Sequence, residues 1–328
     1  MIGVVCLNPA LDVTHHVPAV DWSGVNRPDA VHARPGGKGL NVARTLHALG
    51  AEVLVMGLAG GSTGEAVTAA LAALAVPAAF TRVRGETRRT FTVVDGRTGN
   101  SALFNERGPQ IGAAGYAEFR AGYAGVLAGC AAVVLSGSLP PGLPPGAYAE
   151  LTTMAAAAGV PVLLDAHGEA LRLGAAARPA IVKPNLAELE AFAGRPLSGA
   201  AGPGAAGVDR AAVAAAAREL RAAGAEAVVV SLGAEGLHAD TRDGCWEAVP
   251  PAVVAGNATG AGDAAAAGLA HGLARGRPWD ERLRHAVALG TASAMAPVAG
   301  EFSPADYAKL LDATVVTRGT ADVHGEAG

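Results

Sequence analysis

The chain has 328 residues, 51% of them hydrophobic, and its 25 Lys and Arg against 29 Asp and Glu leave a net charge of −4 at pH 7. That length can bury a substantial core, the scattered basic residues give no electrostatic footprint for nucleic acid, and no run of about 18 apolar residues offers a bilayer span. Cys6, Cys130 and Cys245 lack any paired spacing, so they read as buried apolar residues rather than a zinc site or disulfide framework.

Taken from the start, Met1–Leu7 has no basic head and runs straight into Asn8-Pro9, which predicts a first buried strand and a cytoplasmic protein. Val42, Leu46 and Leu49 fall on one face of a helix over Asn41–Leu49, stopped by Gly50. Apolar runs at Val53–Gly57, Ala132–Ser136, Val160–Asp165, Ala180–Lys183 and Ala227–Ser231 alternate with Ala-rich helical sequence. This alternation predicts an α/β fold with a central, mostly parallel sheet flanked by helices. Residues 11–35 and 87–107 break the rhythm with strand-like sequence and no helix between. They predict a small antiparallel sheet, a lid over the C-terminal edge of the main sheet where ligands of such folds bind. Residues 1–316 then form one domain, with a flexible surface loop at Ser198–Gly207 and a polar, disordered tail at Thr317–Gly328.

Two segments carry most of the chemistry. Gly256–Asp263 is a Gly-rich turn opening an almost pure helix-forming stretch, Ala264–Ala274. Such a turn presents free backbone N–H groups and a positive dipole end to an anion, and sets Asp263 where it could meet an attacking hydroxyl. Alone, it also reads as a helix start capped by Asp. Pro35–Asn41 holds Gly36, Gly37 and Gly39 beside the donors Lys38 and Asn41, suited to sugar hydroxyls or a phosphate, or simply to a tight turn. His15-His16 has no third partner at ligand spacing and reads as lid strand. Glu169, after a strand end, reads as a solvated loop carboxylate.

Together these segments bring a resemblance. Asn8–Asp12, Gly36–Asn41, Gly85–Arg88, Ser136–Gly142, Lys183–Glu188, Ser231–Gly236 and Gly260–Asp263 resemble, in order, the motifs of the ribokinase-type sugar kinases. The branch resembled is phosphofructokinase-B, which includes 1-phosphofructokinase and tagatose-6-phosphate kinase, and the likeness runs from Asn8 to about Pro297.

The resemblance implies ATP and Mg²⁺ as cofactors and a sugar phosphate as substrate, while the lid, whose strand pairs would leave apolar sheet surface exposed, predicts a homodimer formed through it. It implies that Asp263 is the catalytic base and that Gly260, Ala261 and Gly262 form an anion hole. Asp12, Gly37, Lys38, Asn41 and Ser138 match positions around the sugar. Lys183, Asn185, Ser231, Gly233, Gly236 and Asn257 match positions around the nucleotide. Asn185 and Glu188 match an Asn-x-x-Glu element that organises Mg²⁺ through water.

Arg88 matches a sugar-phosphate arginine, but Arg89 follows it and competes for the role. Arg27 and Arg107, with Lys38 and Arg88, would complete a cationic pocket that favours a phosphorylated ketohexose. Fructose 1-phosphate comes first, then tagatose 6-phosphate or fructose 6-phosphate. The alternatives are a kinase of a free sugar or nucleoside, which would not need those cations, and a catalytically silent sugar-phosphate sensor, which would not need Asp263.

Overall fold

The computed structural model describes residues 1–199, 207–251, 259–296 and 300–319. Its first half runs β1 (Ile2–Cys6), β2 (Ala10–Val17), β3 (Ala30–Gly36), α1 (Lys38–Ala48), β4 (Val53–Ala59), α2 (Gly61–Ala73), β5 (Ala78–Arg82), β6 (Arg88–Asp95), β7 (Ser101–Asn105), α3 (Ala113–Val126), β8 (Ala132–Ser136), α4 (Ala147–Ala157) and β9 (Val162–Asp165). The second half runs α5 (Gly168–Ala176), β10 (Ile181–Val182), α6 (Leu186–Ala193), β11 (Ser198–Gly199), β12 (Gly207–Val208), α7 (Arg210–Ala222), β13 (Val228–Ser231), β14 (Leu237–Thr241), β15 (Gly244–Val249), α8 (Ala261–Ala274), α9 (Trp279–Met295), α10 (Pro304–Ala313) and β16 (Val315–Arg318).

The main sheet has ten strands in the order β16-β15-β14-β13-β10-β9-β8-β1-β4-β5. From β13 to β5 every pairing is parallel, and β14, β15 and β16 add antiparallel strands at one edge. The apolar runs are continuous because both faces are covered, so successive residues pack into opposite cores. Val5, Met56, Val133, Leu135 and Leu164 face one core with Phe119, Tyr123, Tyr148 and Leu220, brought by α3, α4 and α7. Val4, Val55, Val134 and Leu163 face the other with Leu40, Leu46, Leu71 and Leu269, brought by α1, α2 and α8. The Ala and Gly richness serves close helix packing: a methyl on Gly268 of α8 would come within 2.8 Å of the Ala286 backbone in α9. Cys6 and Cys130 are buried, free thiols, and burial pushes Cys6 up to about 11.

The second sheet has the order β3-β2-β6-β7. Its outer pairings are antiparallel, but β2 and β6 run parallel, in register from Ala10↔Arg88 to Val17↔Asp95. The sheet is therefore mixed rather than antiparallel, because the chain crosses through α1, β4, α2 and β5 between its two hairpins. Helix α1 begins at Lys38, earlier than its apolar face suggests, because Gly37 adopts φ 95° at the N-cap and lets β3 turn directly into it.

The tail expected from Thr317 onward is also corrected. Thr317 and Arg318 complete β16, paired with Glu247 and Trp246 of β15, and the Arg318 guanidinium stacks 5.3 Å over the Trp246 ring. Edge pairing and stacking offset the polar composition that reads as disorder. Among the described residues no helix is long and apolar enough to cross a membrane.

Candidate active site

The strands β1, β8, β9, β10 and β13 all end at the same edge of the parallel sheet, and α8 starts against that edge. Gly260 is the N-cap of α8 at φ 85°, a left-handed conformation glycine adopts without strain. The first backbone donor used inside the helix is Ala264, to Gly260 at 2.9 Å. The N–H groups of Ala261, Gly262 and Asp263 therefore have no partner within the helix, at the end where the dipole is positive. Asp263 is buried in that first turn, and Asn41 of α1 donates to its Oδ2 at 2.8 Å.

Around this turn lies a lattice of alternating charges. Lys38 Nζ sits 3.1 Å from Asp165 Oδ1 and 3.1 Å from Glu188 Oε1, while Lys183 Nζ sits 3.2 Å from Asp165 Oδ2. Burial opposes the charge on Lys38, but Asp165 and Glu188 outweigh it and hold the ammonium above its ordinary range. Burial likewise opposes ionised Asp165, and Lys183 and Lys38 outweigh it and keep that carboxyl low. Asp263 has the opposite balance: burial and repulsion from Asp165 push it up to about 7, against the weaker help of Asn41, Lys38 and Lys183.

The positions expected around a nucleotide fall beside this lattice. Asn185 caps α6, its side chain accepting from the Glu188 N–H at 2.8 Å while Glu188 Oε2 accepts from the Asn185 N–H at 2.9 Å. The Asn-x-x-Glu spacing thus forms a reciprocal capping box, leaving Glu188 Oε1 to Lys38. Ser231 ends β13 and its N–H bonds to the Pro184 carbonyl at 3.0 Å, joining that strand to the start of α6. Gly233 and Gly236 shape the next turn at φ 61° and 88°, and a side chain on Gly236 would collide with the Ala248 carbonyl oxygen. Lys183 is buried. Asn257 lies outside the described residues.

On the other side, Asp12 of β2 faces Gly36, Arg88 and Thr90. Burial raises its carboxyl, with Thr90, Arg88 and the Gly37 N–H acting against that. Strand alternation separates the two competing arginines. Arg88 turns inward, Nε donating to the Asn8 carbonyl at 3.1 Å, whereas Arg89 turns outward over Phe91 with Glu106 beside it. Ser138 accepts from Asn8 Nδ2 at 3.1 Å, and the carbonyl of Arg107 accepts from the same group at 3.1 Å. Arg27 is not brought in: it lies exposed in the connection between β2 and β3. Glu169 is in the first turn of α5, beside Arg172 at 3.7 Å.

Two residues that hold this site together are given no role by the sequence. Asp165, 0% exposed, is the counter-ion of both lysines; its signal in the sequence is a carboxylate closing an apolar strand. Asn8 links β1 to the second sheet, and its signal is its place at the head of the Asn8–Asp12 segment.

Backbone donors, two ammonium groups and a carboxyl poised near neutrality suit the transfer of an anionic group to a hydroxyl. Comparison with known proteins agrees. The family model described as "pfkB family carbohydrate kinase" matches residues 4–306. The chain belongs to the pfkB family of carbohydrate kinases. This carbohydrate kinase is 38% identical over 273 residues to a 1-phosphofructokinase of Xanthomonas campestris pv. campestris, covering 82% of the chain and 83% of that relative. It superposes on the crystal structure of phosphofructokinase-2 from Escherichia coli in complex with potassium with a TM-score of 0.87, at 31% identity, covering 95% of this chain and 98% of that one. A ribokinase of Arabidopsis thaliana complexed with ribose and ATP, 19% identical with a TM-score of 0.74 over 94% of this chain and 98% of its own, shares the fold.

Proposed function

We propose that this kinase transfers the γ-phosphoryl group of ATP to a hydroxyl of a ketohexose phosphate, with fructose 1-phosphate going to fructose 1,6-bisphosphate as the first choice and tagatose 6-phosphate or fructose 6-phosphate next. The observation that carries the reading is Asp263, buried at the N-terminus of α8 with a carboxyl pushed up to about 7. In this reading the Asp263 carboxylate takes the hydroxyl proton as the oxygen attacks phosphorus, and Asn41 holds it in place. In the same reading the backbone N–H groups at Gly260, Ala261 and Gly262 stabilise charge on the moving phosphoryl. Lys183 lies on the nucleotide side, in line with Ser231, Gly233 and Gly236. Asp12, Gly37, Lys38, Ser138, Arg88 and Arg107 surround the sugar phosphate.

The donor set fits a metal held through water. Glu188 and Asn185 already serve the α6 cap and Lys38, so they suit a hydrated Mg²⁺ arriving with the phosphates better than direct ligation. When bound, Mg²⁺ would neutralise charge on the phosphate oxygens. The test is to incubate the protein with ATP, Mg²⁺ and fructose 1-phosphate and follow phosphorus resonances. A new sugar-bisphosphate signal is expected; ATP left intact with all three sugar phosphates would contradict the proposal.

The base reading fixes a pH dependence. Asp263 must be ionised to accept the proton, so kcat/KM should rise with pH and level off above about 7. A profile flat from pH 5.5 to 8 would remove a base of that pKa; the limb should vanish in Asp263→Asn.

A homodimer through the second sheet belongs to the same proposal. Trp22, Val25, Val31, Leu103 and Phe104 are all more than half exposed on that sheet and its β2–β3 connection, and apolar surface of this kind favours a second copy. Sedimentation at micromolar protein should give a dimer that Phe104→Glu weakens. A monomeric wild type would sink this part.

A further inference from the structure

Asn8 is 6% exposed and joins segments far apart in the chain. Its Nδ2 donates at 3.1 Å to the Arg107 carbonyl, beyond β7, and at 3.1 Å to Ser138 Oγ, beyond β8. Its own main-chain carbonyl accepts Arg88 Nε at 3.1 Å. Both amide hydrogens are used on acceptors, which fixes the orientation of the amide: turned over, Oδ1 would face the Arg107 carbonyl, acceptor against acceptor. In the orientation present, Oδ1 is buried without a hydrogen-bond partner. It lies against Gly108, at φ 94°, where any side chain would collide with it. A buried unpaired carbonyl is unfavourable, and an apolar residue at this position would avoid it. The tie therefore supplies something that packing does not.

We infer that Asn8 is a positioning residue for the sugar phosphate, making Ser138 a hydrogen-bond donor toward the pocket and pinning the segment that carries Arg107 beside Arg88. Ser138 Oγ already accepts from Asn8, so its own hydrogen is left to turn toward a ligand oxygen. The Arg107 carbonyl, held by the same amide, cannot drift from the end of β1. Asn8 acts through these groups and does not itself contact the substrate. The inference rests on the sugar-phosphate reading above.

Asn8→Ala should raise KM for the phosphorylated ketohexose on the order of 10-fold while leaving kcat and KM for ATP within about threefold, the pattern of lost positioning rather than lost folding. Gly108→Ala presses on the same amide from the other side and should give the same selective rise. Adding Ser138→Ala to Asn8→Ala should add little, since both act through one hydroxyl. Independently of substrate, backbone hydrogen exchange over Asn105–Gly108 in the free protein should accelerate in Asn8→Ala. A wild type that phosphorylates no sugar phosphate overturns the functional reading itself. An active wild type whose Asn8→Ala form keeps its KM, or loses sugar phosphate and ATP alike, overturns only the role of Asn8.

Discussion

Asp263→Asn is expected to lower kcat by at least about 10²-fold while leaving KM for ATP near the wild-type value, since a positioned base contributes about 10² to 10⁴. The substitution keeps the shape of the side chain and its place in the first turn of α8, and removes only the site for the proton. Stability provides the control. The folded-state pKa of Asp263 is raised, from 3.8 to about 7, so its favourable contribution is present at low pH and is lost as pH rises through about 7. At pH 8 the native protein holds a buried carboxylate beside ionised Asp165, and the neutral Asn relieves that repulsion. The variant should therefore unfold at or above the wild-type temperature at pH 8. A variant that is both inactive and markedly less stable would point to a structural role, and one retaining turnover within a few-fold would remove Asp263 from catalysis.

Arg88→Ala should raise KM for the phosphorylated sugar about 10- to 100-fold, because charge-assisted hydrogen bonds to phosphate contribute roughly 1.5–3 kcal/mol. Free fructose should be nearly indifferent to the change. Arg88 spends Nε on the Asn8 carbonyl and reaches Thr90 at 3.4 Å through Nη1, which leaves further N–H donors on the guanidinium for a phosphate. Arg89→Ala is the matched control, since Arg89 stacks on Phe91 and faces Glu106 on the outer side of β6. Arg88→Lys separates charge from geometry: it should recover only part of the affinity, because an ammonium lacks the planar fork. A large selective loss in Arg89→Ala instead would mean that the phosphate lies on the opposite side of the strand.

The parallel core was legible because its strands are buried on both faces and so appear as unbroken apolar runs between helices, and the Gly260–Asp263 turn because a helix start needs few residues to declare itself. What depends on pairing between distant segments was not. The parallel union of β2 with β6 depends on a crossover through four intervening elements, and β16 depends on an edge strand and a Trp ring that its own polar sequence does not reveal. Lys183 has the local sequence of a surface lysine and becomes a buried cation only because Asp165 waits at the end of the neighbouring strand. The same holds for Arg88 and Arg89, which adjacent positions in the chain cannot tell apart and which the strand sends to opposite faces.

A phosphate contact in the sugar pocket shows most directly in the order in which substrates are used. Coupled release of ADP should be measured with fructose 1-phosphate, fructose 6-phosphate, tagatose 6-phosphate, free fructose and ribose under one set of conditions, and compared as kcat/KM. A phosphorylated ketohexose should lead by about 10-fold or more over either free sugar, the minimum expected of one charge-assisted phosphate contact. Free fructose or ribose at the head of the ranking, or ADP release that no sugar stimulates, would contradict it.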